Sequence, residues 1–376
     1  MKRSIRYLEQ GMRIIVLLGM IIFSFGSSSP AIAVPTATVG LVIDSAGVDD
    51  NGWNEMAYNG LVKAQTDFGI AFTVYSGDDY EARLNACVAG GNDPCIAVSW
   101  LFYDALIKVA GENPAVTFAI IDAEIPEDAP NNIRGILFDA KQVGYLAGTL
   151  AGLMTAGDIV GAIGGMDIPP VVAFLEGYQN GAQCANDDVF VLQNYTQNFV
   201  DPGLGATVAA EMIGKGADVI FQAAGPTGNG AILYSAGQGV WSIGVDTDQY
   251  ETLFDGGTVA GAEFLLTSAM KRVDNAVYMT VEDFITPGGS PFSDDVIYGL
   301  MEDGVGLADY HEAGASIPQD VIDQILAVED GIVNETIFVD DPCSISIWHS
   351  YWDGSPGLPA FMDNLTAIKV ANPDYP

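Results

Sequence analysis

The sequence predicts an α/β protein of two comparable lobes, each built on a parallel β-sheet. Short β-branched runs alternate with stretches of helical apolar spacing through most of the chain, and this alternation is typical of parallel sheets with crossover helices. The chain of 376 residues is also longer than one small core usually serves. Its hydrophobic fraction of 49% is enough to bury two cores.

The predicted elements follow this alternation in order. Apolar runs predict strands at residues 39–44, 71–75, 96–99, 116–122, 133–138, 159–163, 189–193, 219–222 and 241–245. Helical spacing predicts helices at residues 52–68, 142–154, 171–184, 203–214 and 228–237. The first half ends near residues 138–141, where a helix rich in small residues begins. Small residues allow close helix packing, so we expect the lobes to join there.

Residues 1–33 have the pattern of a secretory signal peptide. Basic residues precede an apolar stretch from Ile14 to Phe25, and Ala31-Ile32-Ala33 matches a signal peptidase site. The apolar stretch is too short to cross a bilayer comfortably. No cysteine lies near the cleavage site, so lipid anchoring through a lipobox is not expected. We expect a protein secreted across the cytoplasmic membrane and located in the periplasm or outside the cell.

The charge of the chain is strongly negative. Residues 1–33 hold four basic residues and one acidic residue, so their removal changes the formal net charge from −36 to −39. Such a charge repels nucleic acids and anionic membranes and favours solubility. The charged fraction of 16% together with the high hydrophobic content excludes a disordered chain.

Four cysteines remain in the mature chain. Cys87 and Cys95 bracket a Gly-Gly-Asn-Asp-Pro turn, and in an exported protein this arrangement favours a disulfide over two free thiols. A second pair, Cys184 with Cys343, follows by elimination. The sequence has no C-x-x-C motif, which argues against structural zinc and thioredoxin-like redox chemistry. No metal or cofactor is expected.

The segment 38–54 is predicted to form a ligand-binding loop after the first strand. The apolar run ends at Asp44, two glycines allow a sharp turn into a helix, and Trp53 and Asn54 follow. Trp53 offers a stacking face beside the hydrogen-bonding groups of Asp44 and Asn54. This combination suits a flat polar ligand.

This loop resembles the opening motif of the basic membrane protein (BMP, PnrA-like) family of ABC-transporter substrate-binding proteins. In that family an Asp, an aromatic residue and an Asn at this spacing hold a purine nucleoside, and Trp53 departs from the usual Phe. The resemblance extends to about Lys271. Its further landmarks are residues 118–122, 144–148, 161–165, Pro169, Phe174, residues 177–178, 198–201, 216–221, 224–225 and 243–249.

The resemblance implies the type I periplasmic binding protein fold, in which two Rossmann-like lobes with parallel sheets are joined by a hinge and bind ligand between them. On that template the chain crosses between lobes three times. Residues 37–140 and about 263–293 would form lobe 1. Residues 141–262 and about 294–376 would form lobe 2, with an extension beyond Val339 that has no assigned role.

The two faces of the binding site are predicted to be aromatic. Trp53 and Phe199 would come from opposite lobes and sandwich a base. For Phe199, the alternative is an ordinary core aromatic.

Carboxylates are predicted at the edge of the site. Asp44, Asp122 and Asp246 each follow an apolar strand, at the sheet edge where α/β proteins bind ligands. They would accept hydrogen bonds from ribose hydroxyls or base N–H groups. The alternative for each is a helix N-cap.

Two further candidates complete the predicted site. Lys271 resembles the family's late lysine, which reaches a ligand or a cleft carboxylate; the alternative is a solvated lysine on a helix. Gly225 allows close backbone approach to ligand hydroxyls. The glycines of residues 225–230 do not form a dinucleotide-binding G-x-G-x-x-G motif, because Leu233 stands where the last glycine would be required.

The function that the resemblance implies is extracytoplasmic binding of a purine nucleoside and its delivery to an ABC permease, by a monomer that performs no chemistry. The sequence leaves open another small ligand, such as a sugar, flavin or signal molecule, and a ligand-sensing subunit. An exported nucleoside hydrolase is disfavoured. The only histidines are His311 and His349, and the chain has neither a G-x-S-x-G nor an H-E-x-x-H motif.

Overall fold

The structure is a computed structural model that describes residues 37–43, 47–50, 52–288 and 292–340. The predicted signal segment 1–33, Asp44, Cys343 and the chain from residue 341 onward lie outside the described residues. Within the described ranges, no helix is long and apolar enough to span a membrane.

The first sheet is parallel and is formed mainly by the N-terminal part of the chain. Its described strands are β1 (Thr38–Val42), β2 (Ala71–Tyr75), β3 (Cys95–Ala97), β4 (Phe118–Ile121), β5 (Ile133–Phe138) and β11 (Val296–Tyr298). Their order across the sheet is β11-β5-β4-β3-β1-β2. The helices that pack on this sheet are α1 (Trp53–Phe68), α2 (Tyr80–Ala89), α3 (Tyr103–Glu112) and α9 (Val273–Ile285).

The second sheet repeats this arrangement. Its described strands are β6 (Ile159–Gly164), β7 (Phe190–Tyr195), β8 (Val219–Ala223), β9 (Trp241–Asp246), β10 (Leu265–Lys271) and β12 (Val305–Leu307), in the order β12-β10-β9-β8-β6-β7. Only β12 among them runs antiparallel to its neighbour. The helices of this part are α4 (Ala140–Met154), α5 (Pro169–Ala185), α6 (Pro202–Gly214), α7 (Gly225–Gly237), α8 (Gln249–Thr252) and α10 (Gln319–Val333).

Each sheet with its helices is called a lobe below. The strand orders match position by position, so β3 corresponds to β8 and β4 corresponds to β9. The predicted α/β class with two parallel-sheet lobes is confirmed. Because the topology repeats, the carboxyl ends of corresponding strands occupy equivalent places in the two lobes.

The later lobe crossings differ from the expected boundaries. The chain was expected to return to the first lobe after Glu263, but β10 pairs with β9 in the second sheet. The return follows Lys271, because α9 buries its apolar face against α1 in the first core. The second lobe was expected again from about residue 294, yet β11 still pairs with β5. The chain enters the second lobe only between β11 and β12.

The three connections between the lobes, residues 138–140, 271–273 and 298–305, lie side by side. The backbone N–H of Asp139 donates to the carbonyl of Tyr298 over 3.0 Å, and the N–H of Arg272 donates to the carbonyl of Gly304 over 2.8 Å. The third connection is therefore hydrogen-bonded to both of the others. The connections therefore form one hydrogen-bonded strip between the lobes.

The predicted disulfide between Cys87 and Cys95 is present and joins α2 to β3, with the Cα atoms 6.3 Å apart. Cys184 is half-buried and has no disulfide with a described residue. Ile337 packs beside Cys184, whereas Asp340 is paired with Lys141 at the other end of α4. Cys343 lies outside the described residues, so its pairing with Cys184 stays a prediction.

Helices α4 and α5 pack with their backbones in contact. A Cβ atom on Gly148 of α4 would overlap the carbonyl oxygen of Tyr178, and one on Gly181 of α5 would overlap the carbonyl oxygen of Tyr145. Glycine is therefore required here for close approach of two helices, as the small residues of this segment predict.

We expect Gly148→Ala to lower the free energy of unfolding by about 1–3 kcal/mol, because the added methyl forces the two helices apart. Gly214→Ala is the matched control, since Gly214 is an exposed helical glycine with no atom within 4 Å of an added Cβ. The control should be neutral or stabilising by up to about 1 kcal/mol. Chemical denaturation of both variants measures the difference, and equal stabilities would contradict this packing.

Candidate functional site

A cavity of about 230 Å³ lies between the lobes at the carboxyl ends of the two sheets. Its volume is slightly below the roughly 300–1,000 Å³ common for ligand pockets. The first lobe contributes Trp53, Ser99, Trp100 and Asp122, and the second contributes Ile168, Pro170, Val171, Phe174, Phe199, Ala223, Gly225, Val245, Asp246 and Lys271. The wall is mainly apolar, with a few charged groups.

The cavity brings together most of the residues predicted from the sequence. Those that line it are Trp53, Asp122, Phe199, Gly225, Asp246 and Lys271. Asn54 does not line it: the residue is 1% exposed and lies inside the first turn of α1. Asp44 lies outside the described residues, so the predicted Asp, Trp and Asn constellation is not seen as a unit.

An ion pair crosses the cavity from one lobe to the other. The Nζ atom of Lys271, at the end of β10, lies 2.6 Å from a carboxylate oxygen of Asp122. The two side chains are only 3% and 7% exposed. The interpretation of Lys271 as a solvated helical lysine is therefore wrong, because the residue ends a buried strand and is paired.

The ammonium group of Lys271 is also surrounded by aromatic rings. Its Nζ atom lies 4.9 Å from the centroid of the Trp53 ring and 5.7 Å from the centroids of Phe138 and Phe174. These distances allow cation–π attraction. The indole of Trp53 is thereby held at the wall of the cavity.

Asp246 is the second carboxylate of the cavity. Burial raises the pKa of this carboxyl, and the negative charge of Asp122 raises it further. The charge of Lys271 and a hydrogen bond from the Trp53 side chain act in the opposite direction. Burial is the largest of these effects, so the net shift of the Asp246 pKa is upward.

The backbone at four strand ends adopts positive φ, and all four residues line the cavity. Asp122 after β4 has φ 62°, and Asp246 at the end of β9 has φ 63°. Ser99 follows β3 with φ 109°, and Gly225 follows β8 with φ 55°. Non-glycine residues seldom adopt such conformations, and those that do cluster at functional sites.

The N-cap interpretation does not hold for the described aspartates. No helix follows Asp122 before β5. After Asp246, the N-cap of α8 is Asp248, whose carboxylate accepts from the backbone N–H of Tyr250. The carboxylates of Asp122 and Asp246 therefore cap no helix, and both residues line the cavity.

Phe199 serves both the core and the cavity. Its ring is half-buried against the second core and covers Gly165, where a Cβ atom would overlap it. Its carbonyl accepts from the backbone N–H of Thr227 over 3.1 Å. Phe199 is therefore both a core aromatic and a lining residue of the cavity.

Trp100 and Ser99 line the cavity although the sequence did not single them out. Ser99 ends the predicted strand 96–99 and Trp100 follows it, so the same strand-end argument that selected the aspartates applies to them. His311 is not among the lining residues. Its Nε2 atom is hydrogen-bonded to a carboxylate oxygen of Asp248 at 2.7 Å, and its ring stacks on Tyr250. Among described residues, no three His, Cys, Asp or Glu side chains cluster as a metal site would require.

We expect Asp246→Asn to raise the free energy of unfolding at pH 7, because it removes a buried charge. The pKa of Asp246 is higher in the folded state than its ordinary value of 3.8, so ionisation of this carboxyl opposes folding. The penalty is full above the raised pKa and fades as pH falls toward 3.8. The gain from the substitution should shrink over the same range.

Thermal unfolding of this variant and the wild type from pH 4 to 7.5 measures the effect. Asp128→Asn is the control, since Asp128 is exposed and such surface changes stay within about 0.5 kcal/mol. A less stable Asp246→Asn variant at pH 7 would mean that attraction to Lys271 exceeds the effect of burial.

Comparison with known proteins places the chain in a family. Residues 37–342 match the family model described as ABC transporter substrate-binding protein PnrA-like. The CD4+ T-cell-stimulating antigen of Listeria monocytogenes is 32% identical over 330 residues, which cover 81% of this chain and 88% of that protein. The ABC transporter nucleoside-binding protein BmpA of Lactococcus lactis is 30% identical over 310 residues, covering 77% and 88%.

Solved structures show the same architecture. An ABC transporter solute-binding protein from Aeropyrum pernix superposes with a TM-score of 0.65 at 27% identity, covering 88% of this chain and 98% of that one. A transcriptional activator of the comK gene from Bacillus halodurans shares the fold with a TM-score of 0.69 at 22% identity, covering 80% and 99%. The chain belongs to the PnrA-like, or basic membrane protein, family of ABC transporter substrate-binding proteins.

Proposed function

We propose that this protein binds a purine nucleoside in the cavity between its lobes and delivers it to the permease of an ABC transporter. Membership of a substrate-binding family supports the solute-binding role. The Lactococcus lactis relative, described as a nucleoside-binding protein, supports the nucleoside class. The observation that carries the proposal is a cavity with aromatic rings from both lobes and carboxylates beside them.

The aromatic residues provide faces for a base. Trp53 comes from the first lobe and Phe199 from the second, so a flat heterocycle between them would contact both lobes at once. Stacking of a base on an aromatic side chain contributes about 1–3 kcal/mol. Trp53 in place of the family's usual Phe offers a larger face.

The charged groups suit a neutral, hydroxyl-bearing ligand. Asp122 and Lys271 compensate one another, which leaves the carboxylate of Asp246 as the uncompensated charge among the described lining residues. Carboxylates accept hydrogen bonds from ribose hydroxyls and repel phosphate. The cavity therefore favours nucleosides over nucleotides.

The mechanism is closure of the lobes around the ligand. A ligand that touches both lobes stabilises the arrangement in which they are close, and the adjacent connections form the hinge. The permease would recognise this closed form. Residues 1–33 would direct the protein across the cytoplasmic membrane, and the proposal requires neither a cofactor nor a chemical step.

Calorimetric titration of the mature, ligand-stripped protein tests the ligand class. We expect binding of inosine, guanosine and adenosine, weaker binding of uridine, and no binding of ribose or guanosine monophosphate. Binding of ribose alone would indicate a sugar carrier, and a folded protein that ignores every nucleoside would refute the proposal. Free base released during incubation would indicate a hydrolase instead.

The stacking faces are tested by Trp53→Ala and Phe199→Ala. Each should weaken purine nucleoside binding by roughly five- to 150-fold, the equivalent of one lost stacking contact. Trp53→Phe should retain most of the affinity, because phenylalanine keeps an aromatic face. Phe190→Ala is the matched control, since Phe190 is 62% exposed on β7 and does not line the cavity. Unchanged affinity in both alanine variants would refute stacking of the base on Trp53 and Phe199.

A further inference from the structure

We propose that Trp100 is a third aromatic contact to the base of the bound nucleoside, presented by a strained turn after β3. The inference rests on the proposed function and extends it to a residue that is not among the motifs carrying the family resemblance. It follows from three features of the described chain: the exposure of the Trp100 ring, the backbone of Ser99, and the anchoring of the turn at Phe102.

Trp100 is incompletely covered by the rest of the protein. It lines the cavity and yet is 56% exposed, whereas Phe174 in the same wall is 3% exposed. A tryptophan buries a large apolar area when it is covered. A flat ligand in the cavity would supply that cover at the side that the lobes leave open.

The backbone at Ser99 is held in an unfavourable conformation. Its φ of 109° and ψ of 141° lie in a region that residues with a Cβ atom rarely adopt. The equivalent turn in the second lobe, after β8, has Gly225, which adopts positive φ without strain. The first lobe keeps this turn although its residue is serine, and the turn places Trp100 at the cavity.

The turn that carries Trp100 is firmly anchored. The hydroxyl of Ser99 accepts from the backbone N–H of Leu101 over 3.2 Å at the start of the short 3₁₀ helix Trp100–Phe102. Phe102 is fully buried and packs edge-on against Tyr80 with centroids 4.8 Å apart. The guanidinium carbon of Arg83 lies 4.7 Å from the Phe102 ring centroid. Trp100 therefore projects from a fixed base, which limits the entropy lost when it contacts a ligand.

Calorimetry on Trp100→Ala, Trp100→Phe and Leu101→Ala tests the inference, with the purine nucleoside that the wild type binds. Trp100→Ala should weaken binding by about five- to 50-fold, as expected for one partly exposed stacking contact. Trp100→Phe should retain most of the affinity. Leu101→Ala should bind as the wild type, because Leu101 is 43% exposed beside Trp100 but does not line the cavity.

Acrylamide quenching of tryptophan fluorescence gives a second readout. Saturating nucleoside should reduce the quenching of tryptophan fluorescence by acrylamide in the wild type. In Trp100→Phe this reduction should be measurably smaller. Thermal unfolding should give all three variants the wild-type midpoint within a few degrees, because the changed side chains are exposed.

The outcomes separate this inference from the proposed function. A folded wild type that binds no nucleoside refutes the proposed function. Wild-type affinity in Trp100→Ala, together with a loss in Trp53→Ala, refutes only the role of Trp100. An equal loss in Leu101→Ala would also overturn it, because the effect would then arise from the turn and not from the ring.

Discussion

The buried ion pair between Lys271 and Asp122 is the interaction on which the site depends. It joins the ends of β10 and β4 across the two lobes. Aromatic rings surround Lys271 and both side chains of the pair are almost fully buried. The low dielectric of a buried site strengthens the attraction between their charges. Removal of the cation would leave Asp122 and Asp246 facing one cavity without compensation, which is strongly unfavourable for buried carboxylates. The pair therefore sets the charge of the cavity as well as the approach of the lobes.

Repetition of one sheet topology explains why the other groups meet there. β4 and β9 are corresponding strands, and each is followed or ended by an aspartate with φ near 60°. β3 and β8 correspond in the same way and lead to Ser99 and Gly225. Equivalent strand ends face one another when two such lobes are joined by a hinge. The site is thus built from matching turns whose side chains differ, and the first lobe adds Trp100 where the second has only a glycine turn.

Much of this arrangement could be predicted because buried parallel strands are continuous apolar runs. The predicted strands from 39–44 to 241–245 all lie within a few residues of observed strands, and the strand-end argument selected Asp122 and Asp246 correctly as cavity residues. Helices α2 and α3 were not predicted, although Leu106, Val109 and Ala110 give α3 the apolar spacing of a helix. β10 was missed because Thr267 and Ser268 interrupt its apolar run, although both are buried in the sheet. That omission displaced the lobe boundary and made Lys271 appear helical.

Asn54 was misplaced because α1 begins at Trp53 and turns the next side chain inward.

We propose that a purine base lies between the lobes and contacts aromatic rings from both. A crystal structure of the mature protein with inosine tests it most directly. We expect the base between Trp53 and Phe199, with the ribose hydroxyls within hydrogen-bond distance of Asp122, Asp246 or Lys271. A nucleoside bound elsewhere, or bound in the cavity with its base against neither ring, would refute this placement of the ligand.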